Sequence, residues 1–255
     1  MDRLTEVAAG VLVATSEVFV TTSTVVTGHD GGCLVIDPAL TLSDLRLLAA
    51  DLAAAELRPV AGFASHAHWD HILWCRELGG VPRYAAQRAV AAADRSRDTL
   101  IAEVSKTAPG HDLDLFGRLD PLGPESAYIP WDGPDAFVVT HDGHAPGHSA
   151  IFLPQTGTLV AGDMCSDIEI PLLDLAQPDP VGDYQAGLER LAALPVRQVV
   201  PGHGAVGDAA EFRRRVAADL AYLDQLRRGH DPRDQRLTVD WLIEEHDLQV
   251  HHLCG

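Results

Sequence analysis

No stretch of this 255-residue chain comes near the roughly 18 consecutive apolar residues that a membrane span requires, so no membrane partner is expected. Basic residues are scarce: 19 Lys and Arg stand against 37 Asp and Glu, for a net charge of −18. A field of that sign repels polyanions, which argues against nucleic acid and acidic lipid surfaces. The one dense basic run, Arg213-Arg214-Arg215, falls on an expected helix. Three consecutive residues spread around a helix axis, so a solvated face is expected there. Cysteine is also sparse. Cys33, Cys75, Cys165 and Cys254 are far apart with no CxxC pair, and no apolar leader follows Met1. A reducing cytoplasm is therefore the expected compartment. A GxSxG nucleophile elbow is missing too, and with it one signature of serine-based acyl transfer.

What is present is a globular composition, 46% hydrophobic, in a length suited to one layered α/β domain over residues 1–255. β-Branched residues over 10–26 read as a hairpin, and residues 33–36 as an apolar strand after the turn Asp30-Gly31-Gly32. Ser43 is the expected N-cap of a helix to about Leu57, and residues 59–64 form the next strand. A short helix over 71–78, a brief strand at Tyr84 and one long Ala-rich helix over 85–106 are expected next. Residues 107–134, rich in Gly and Pro, read as a candidate substrate wall, and residues 171–180 as another wall or linker. Strands are expected at 137–139, 150–153, 158–161 and 197–200, with helices over 183–194, from Asp208 to about Arg228, and briefly near Leu242. Strands plus helix, repeated once, give two packed sheets with helices on both outer faces.

The densest chemistry lies in Ser65-His66-Ala67-His68-Trp69-Asp70-His71, directly after the apolar strand. His66 and His68, two apart at a strand end, project to one side and can reach one metal ion. Asp70 and His71 can turn toward a second. Imidazole and carboxylate suit zinc, and also iron or manganese. Three later residues share this placement at strand ends, each beside glycine: His148, Asp163 and His203.

Taken together, His66-x-His68-x-Asp70-His71, His148 after Pro-Gly, Gly-Asp163 and Gly-His203-Gly, with Asp37 closing an early strand, resemble the five motifs of the metallo-β-lactamase-fold superfamily. They occur in that family's order and span residues 37–203. The resemblance implies a four-layer αββα sandwich with a two-metal site along its edge. It implies His66, His68 and His148 on the first ion, Asp70, His71 and His203 on the second, and Asp163 bridging both. Asp37 would orient a metal-bound imidazole without touching the ion.

Two zinc ions, or iron or manganese in their place, would share a hydroxide that attacks a carbonyl, with Asp70 as the catalytic residue receiving its proton. The expected activity is a dinuclear hydrolase cleaving a small ester, thioester or lactone. Asp163 stands where antibiotic-hydrolysing zinc lactamases generally carry Cys or Ser, so the chain looks more like the glyoxalase II and lactonase branch. Ser166 stands where some acyl-homoserine lactonases place Tyr, and no basic cluster suits glutathione. An iron-dependent redox enzyme similar to sulfur dioxygenases, or a biosynthetic cyclase on the same metals, are the alternatives. Gly202-His203-Gly204-Ala205-Val206-Gly207 spells a dinucleotide fingerprint, but no further strand completes a βαβ unit, and the glycines let His203 approach a metal. His141 and His144 are read as solvent-facing strand-end residues, Cys165 as a packed thiol, and the tail with His246, His251, His252 and Cys254 as frayed.

Overall fold

The computed structural model describes residues 1–123 and 126–254, and Cys254 in its backbone alone. The chain begins with a seven-stranded sheet whose strands lie side by side in chain order. These are β1 (Thr5–Ala8), β2 (Val11–Thr15), β3 (Thr22–Thr27), β4 (Gly32–Ile36), β5 (Arg58–Phe63), β6 (Arg83–Ala85) and β7 (Asp120–Pro121). The first four pair antiparallel and the last four parallel, because helical crossovers intervene once β4 is complete. Those crossovers carry α1 (Leu42–Ala54), α2 (Gln87–Arg95) and α3 (Arg97–Thr107). A second sheet has the order β12-β11-β10-β9-β8, built from β8 (Phe137–His141), β9 (His148–Leu153), β10 (Thr158–Gly162), β11 (Gln198–Pro201) and β12 (Gly207–Asp208). Its helices are α4 (Pro180–Ala192), α5 (Ala209–Arg227) and α6 (Asp240–Cys254).

Strand periodicity sets the layers. In β4, Leu34 and Ile36 face the second sheet while Cys33 and Val35 face the α1 side. In β9, Ile151 and Leu153 meet the first sheet, whereas Ala150 and Phe152 pack with residues of α4 and α5. The result is the expected αββα sandwich: one apolar layer between the sheets and one under each helical face.

Several local expectations are corrected. Thr41, not Ser43, caps α1: its side chain accepts from Asp44 N, and Asp44 closes a capping box by accepting from Thr41 N. Only Arg76–Leu78 of the expected 71–78 helix is helical, as a 3₁₀ turn, because residues 66–71 are committed to the site. The long helix breaks at Ser96 into α2 and α3. The strand β1 was not expected at all. Arg215 is not solvated: it is buried and donates to Ala205 O at 2.9 Å and Cys165 O at 3.2 Å. The tail is not frayed. α6 docks a stripe of Leu242, His246 and Gln249 onto the α5 side, where the Tyr222 hydroxyl meets His246 Nδ1 at 2.9 Å and takes a hydrogen bond from Gln249 Nε2 at 3.0 Å. No described helix is long and apolar enough to cross a membrane.

Candidate metal centre

Every strand that leads to the site ends at the same edge of the sandwich. The loop after β5 carries His66, His68, Asp70 and His71; the turn from β8 to β9 carries His144; Asp163 follows β10 and His203 follows β11. Two groups of ligand atoms form there, each with all its atoms within 4.8 Å of one another: His66, His68, His144 and Asp163 in one, Asp70, His71 and His203 in the other. Asp163 reaches both. Its Oδ1 is 3.1 Å from His71 Nε2, while its Oδ2 is 3.3 Å from His66 Nε2 and 3.5 Å from both His144 Nε2 and His203 Nε2. Gly202 makes this possible, since a Cβ there would collide with Asp163 Oδ1.

The far nitrogen of most of these rings is tied down, which turns the near one inward. His144 Nδ1 donates to Leu172 O at 2.8 Å, and His203 Nδ1 to Phe19 O at 3.0 Å. A carbonyl only accepts, so each of these Nδ1 atoms carries a proton, and Nε2 is the nitrogen turned toward the centre. Ser65 Oγ lies 2.9 Å from His66 Nδ1, and Asp37 Oδ2 lies 3.1 Å from His71 Nδ1. Asp37 is itself held by Ser65 N at 2.7 Å, the place expected of a residue that orients a liganding imidazole.

His148 is the exception. The resemblance implied it as the third imidazole on the first ion, yet it joins neither group. Its Nε2 accepts from Asp163 N at 3.1 Å, and its Nδ1 lies 3.2 Å from His141 Nε2, so both ring nitrogens are engaged. His144 stands in its place, with Nε2 3.0 Å from His68 Nδ1. His141 and His144 are therefore buried, not solvent-facing. A signal for this was present: strand period places His148 on the side of Ala150 and Phe152, which pack toward α4 and α5.

Charge separates the site into two halves. Burial drives the His66 and His148 imidazoles well below their usual range and His144 down to about 4, leaving neutral rings. Burial also pulls on His71 and His203, but the Asp163 carboxylate, with Asp70 beside His71 and Glu169 beside His203, raises both well above it. Burial opposes ionisation of Asp163 and Asp70, and His71 and His203 overcome it, holding both carboxyls well below the usual range. Glu169, which sequence reasoning missed, is buried beside this cluster; desolvation pushes it up to about 7 against the pull of His203.

These residues fit a pair of cations. His66 Nε2 and Asp163 Oδ1 are buried and hydrogen-bonded to nothing, although nitrogens and oxygens crowd around them. Buried polar atoms are seldom left so unless an ion or water completes them. Imidazole and carboxylate in this ratio are the donor set of zinc, iron or manganese. Above the centre opens a cavity of about 660 Å³. Its walls come from Phe19 and Trp69, from Leu172, Leu173 and Leu175, and from Trp241 on α6. The expected wall over 107–134 contributes only Thr107 among its described residues; Phe116 lies in the core, Asp120–Pro121 pair with β6, and Ile129 packs between the sheets.

A sequence model of the metallo-beta-lactamase superfamily matches residues 17–203, and the chain belongs to that superfamily. Probable metallo-hydrolase YflN of Bacillus subtilis (strain 168) is 27% identical over 175 residues, which cover 58% of this chain and 66% of that protein. A beta-lactamase domain protein from Burkholderia ambifaria superposes with a TM-score of 0.67 at 20% identity, over 89% of this chain and 78% of that one. TTHA1623, solved in a di-iron-bound form, has a TM-score of 0.60 at 25% identity, over 79% of this chain and 96% of its own. The chain therefore carries a dinuclear metal-binding motif on a metallo-hydrolase fold.

Proposed function

We propose that this chain is a dinuclear metal-dependent hydrolase, of the glyoxalase II and lactonase-like branch, that cleaves a small ester, thioester or lactone. One observation carries the reading: two groups of ligand atoms lie side by side below an open cavity, and Asp163, a member of the first, is also within 3.5 Å of His71 Nε2 and His203 Nε2 in the second. His66, His68 and His144 would hold the first ion and Asp70, His71 and His203 the second, with Asp163 within reach of each group. Zinc bound there would supply a water that ionises near neutral pH and would polarise the acyl carbonyl. The chain's own residues do the rest. Asp70, whose Oδ2 lies 3.2 Å from His203 Nε2 and which lines the cavity, receives the proton that the attacking water loses. Leu172 O and Phe19 O hold the His144 and His203 rings in one tautomer and orientation, and Ser65 Oγ and Asp37 Oδ2 lie beside the outer nitrogens of His66 and His71. The apolar walls seat the acyl group and keep bulk water away from it.

The test is metal quantification on purified protein followed by a screen of lactones, thioesters and β-lactams. About two metals per chain and chelator-sensitive acyl hydrolysis are expected. Less than one metal per chain, with no acyl substrate turned over after zinc loading, overturns the reading. The di-iron form of TTHA1623 favours one second reading, an iron-dependent redox enzyme. Native iron together with oxygen uptake would select it.

A further inference from the structure

Around the mouth of the cavity above the metal centre, the charged side chains are carboxylates. Glu103 on α3, Asp174 before α4 and Glu245 on α6 stand in its lining, and among the described residues no Lys or Arg joins them. Glu169 faces the same space from deeper in: it is 6% exposed, and no described donor hydrogen-bonds its carboxylate, the nearest cation partner being His203 Nδ1 at 3.9 Å. The same lining holds a group of aromatic rings. Phe19 meets Trp69 edge to face with centroids 6.5 Å apart, and Trp241 likewise at 6.2 Å. Edge-to-face packing leaves part of each π-face available, and such faces attract cations. Phe19 is 39% exposed and Trp241 37%, high values for large rings that line a cavity.

The backbone invests in this wall. Phe19 and Val20 both adopt left-handed conformations, with φ of 55° and 51°, rare for residues with a Cβ and costly when consecutive. The turn so formed presents the Phe19 ring to the cavity and its carbonyl to His203 Nδ1. On α6, Trp241 and Glu245 are four apart, so one helical face delivers a ring and a carboxylate together. That helix lies outside the stretch matched by the superfamily model, as does the acid it carries.

We infer that the substrate carries a cationic head, a tertiary or quaternary ammonium, seated between the Phe19–Trp69–Trp241 wall and the carboxylates of Glu103, Asp174 and Glu245. The inference rests on the hydrolase reading and narrows it: the acyl bond lies over the metals and the ammonium at the mouth. Anionic head groups are disfavoured at the mouth, where carboxylates stand and no Lys or Arg joins them among the described residues.

The test separates binding from turnover. NMR titrations of the full, metal-loaded chain compare choline with its uncharged isostere 3,3-dimethylbutanol, in the parent and in Glu245→Gln and Trp241→Ala. Choline is expected to bind about tenfold more tightly in the parent, and each variant should bring the ratio toward one with metal content unchanged. Glu103→Gln, on a different helix, repeats the test should a change on α6 undock that helix. Equal or tighter binding of the isostere overturns the inference, as does a preference that survives all three variants. The acetate esters of the two alcohols are then offered as substrates. Failure to hydrolyse either, with the binding preference intact, counts against the hydrolase reading and leaves the cation site standing.

Discussion

His144 and His148 are four residues apart in a stretch of Gly, Pro and His, and motif spacing alone does not say which one turns inward. The structure distinguishes them by what their nitrogens touch. His144 has one nitrogen on a carbonyl and the other beside His68, whereas His148 spends one on the backbone of Asp163 and the other on His141. His144→Ala should therefore lower the metal content by about one ion per chain, checked by inductively coupled plasma mass spectrometry. His148→Gln keeps an acceptor for Asp163 N, and should weaken metal binding by no more than the roughly 10- to 100-fold typical of residues behind the ligands. The other six proposed ligands were readable in the sequence because each follows a recognisable strand. Glu169 and the buried state of His141 and His144 were not, because burial at a strand end or in a loop comes from distant parts of the chain.

At the scale of elements, β4, β5, β9, β10 and β11 were legible from apolar runs, and α5 from Asp208, whose carboxylate accepts from Ala210 N and Glu211 N. The cap of α1 was misplaced by two residues because Thr41 and Ser43 are both good caps, and only the reciprocal bond to Asp44 decides between them. Burial pushes the Asp44 carboxyl up, but hydrogen bonds from Thr41, the Met1 ammonium at 3.1 Å and Ser16 outweigh it and hold it below the usual range. A lowered folded-state pKa means stability that is present above the unfolded value near 3.9 and lost as pH falls below it. Asp44→Asn should cost about 1 kcal/mol at pH 7, and less at pH 3, in urea unfolding. A penalty independent of pH would show that the carboxylate charge is not what matters.

The segment 107–134 was misread for a physical reason: Gly and Pro mark irregular backbone, not exposure. Phe116 is 1% exposed, and the backbone around it accepts from Arg97 Nη1 and Arg83 Nη1, each at 2.7 Å. Phe116→Ala should destabilise the fold by about 3–5 kcal/mol and leave substrate preference unchanged in whatever folded fraction remains. The opposite pattern, altered preference with intact stability, would restore the segment as a substrate wall.

Across the whole molecule, the two ligand groups draw on both sheets, since His66 to His71 follow β5 while His144, Asp163 and His203 extend from β8, β10 and β11. Bound ions would thus cross-link the halves of the sandwich at one edge. A ligand that binds only the folded state at 100 times its dissociation constant adds about 2.7 kcal/mol, so chelation should lower the melting temperature measured by calorimetry. Melting that is unmoved by complete metal removal would mean that the edge is preformed without them. Anomalous diffraction from crystals grown with metal locates the ions themselves. Two peaks per chain are expected on either side of Asp163, one within ligand distance of His144 and the other of His203. A single peak, or a first ion held by His148 with His144 turned away, would rule out this two-ion centre.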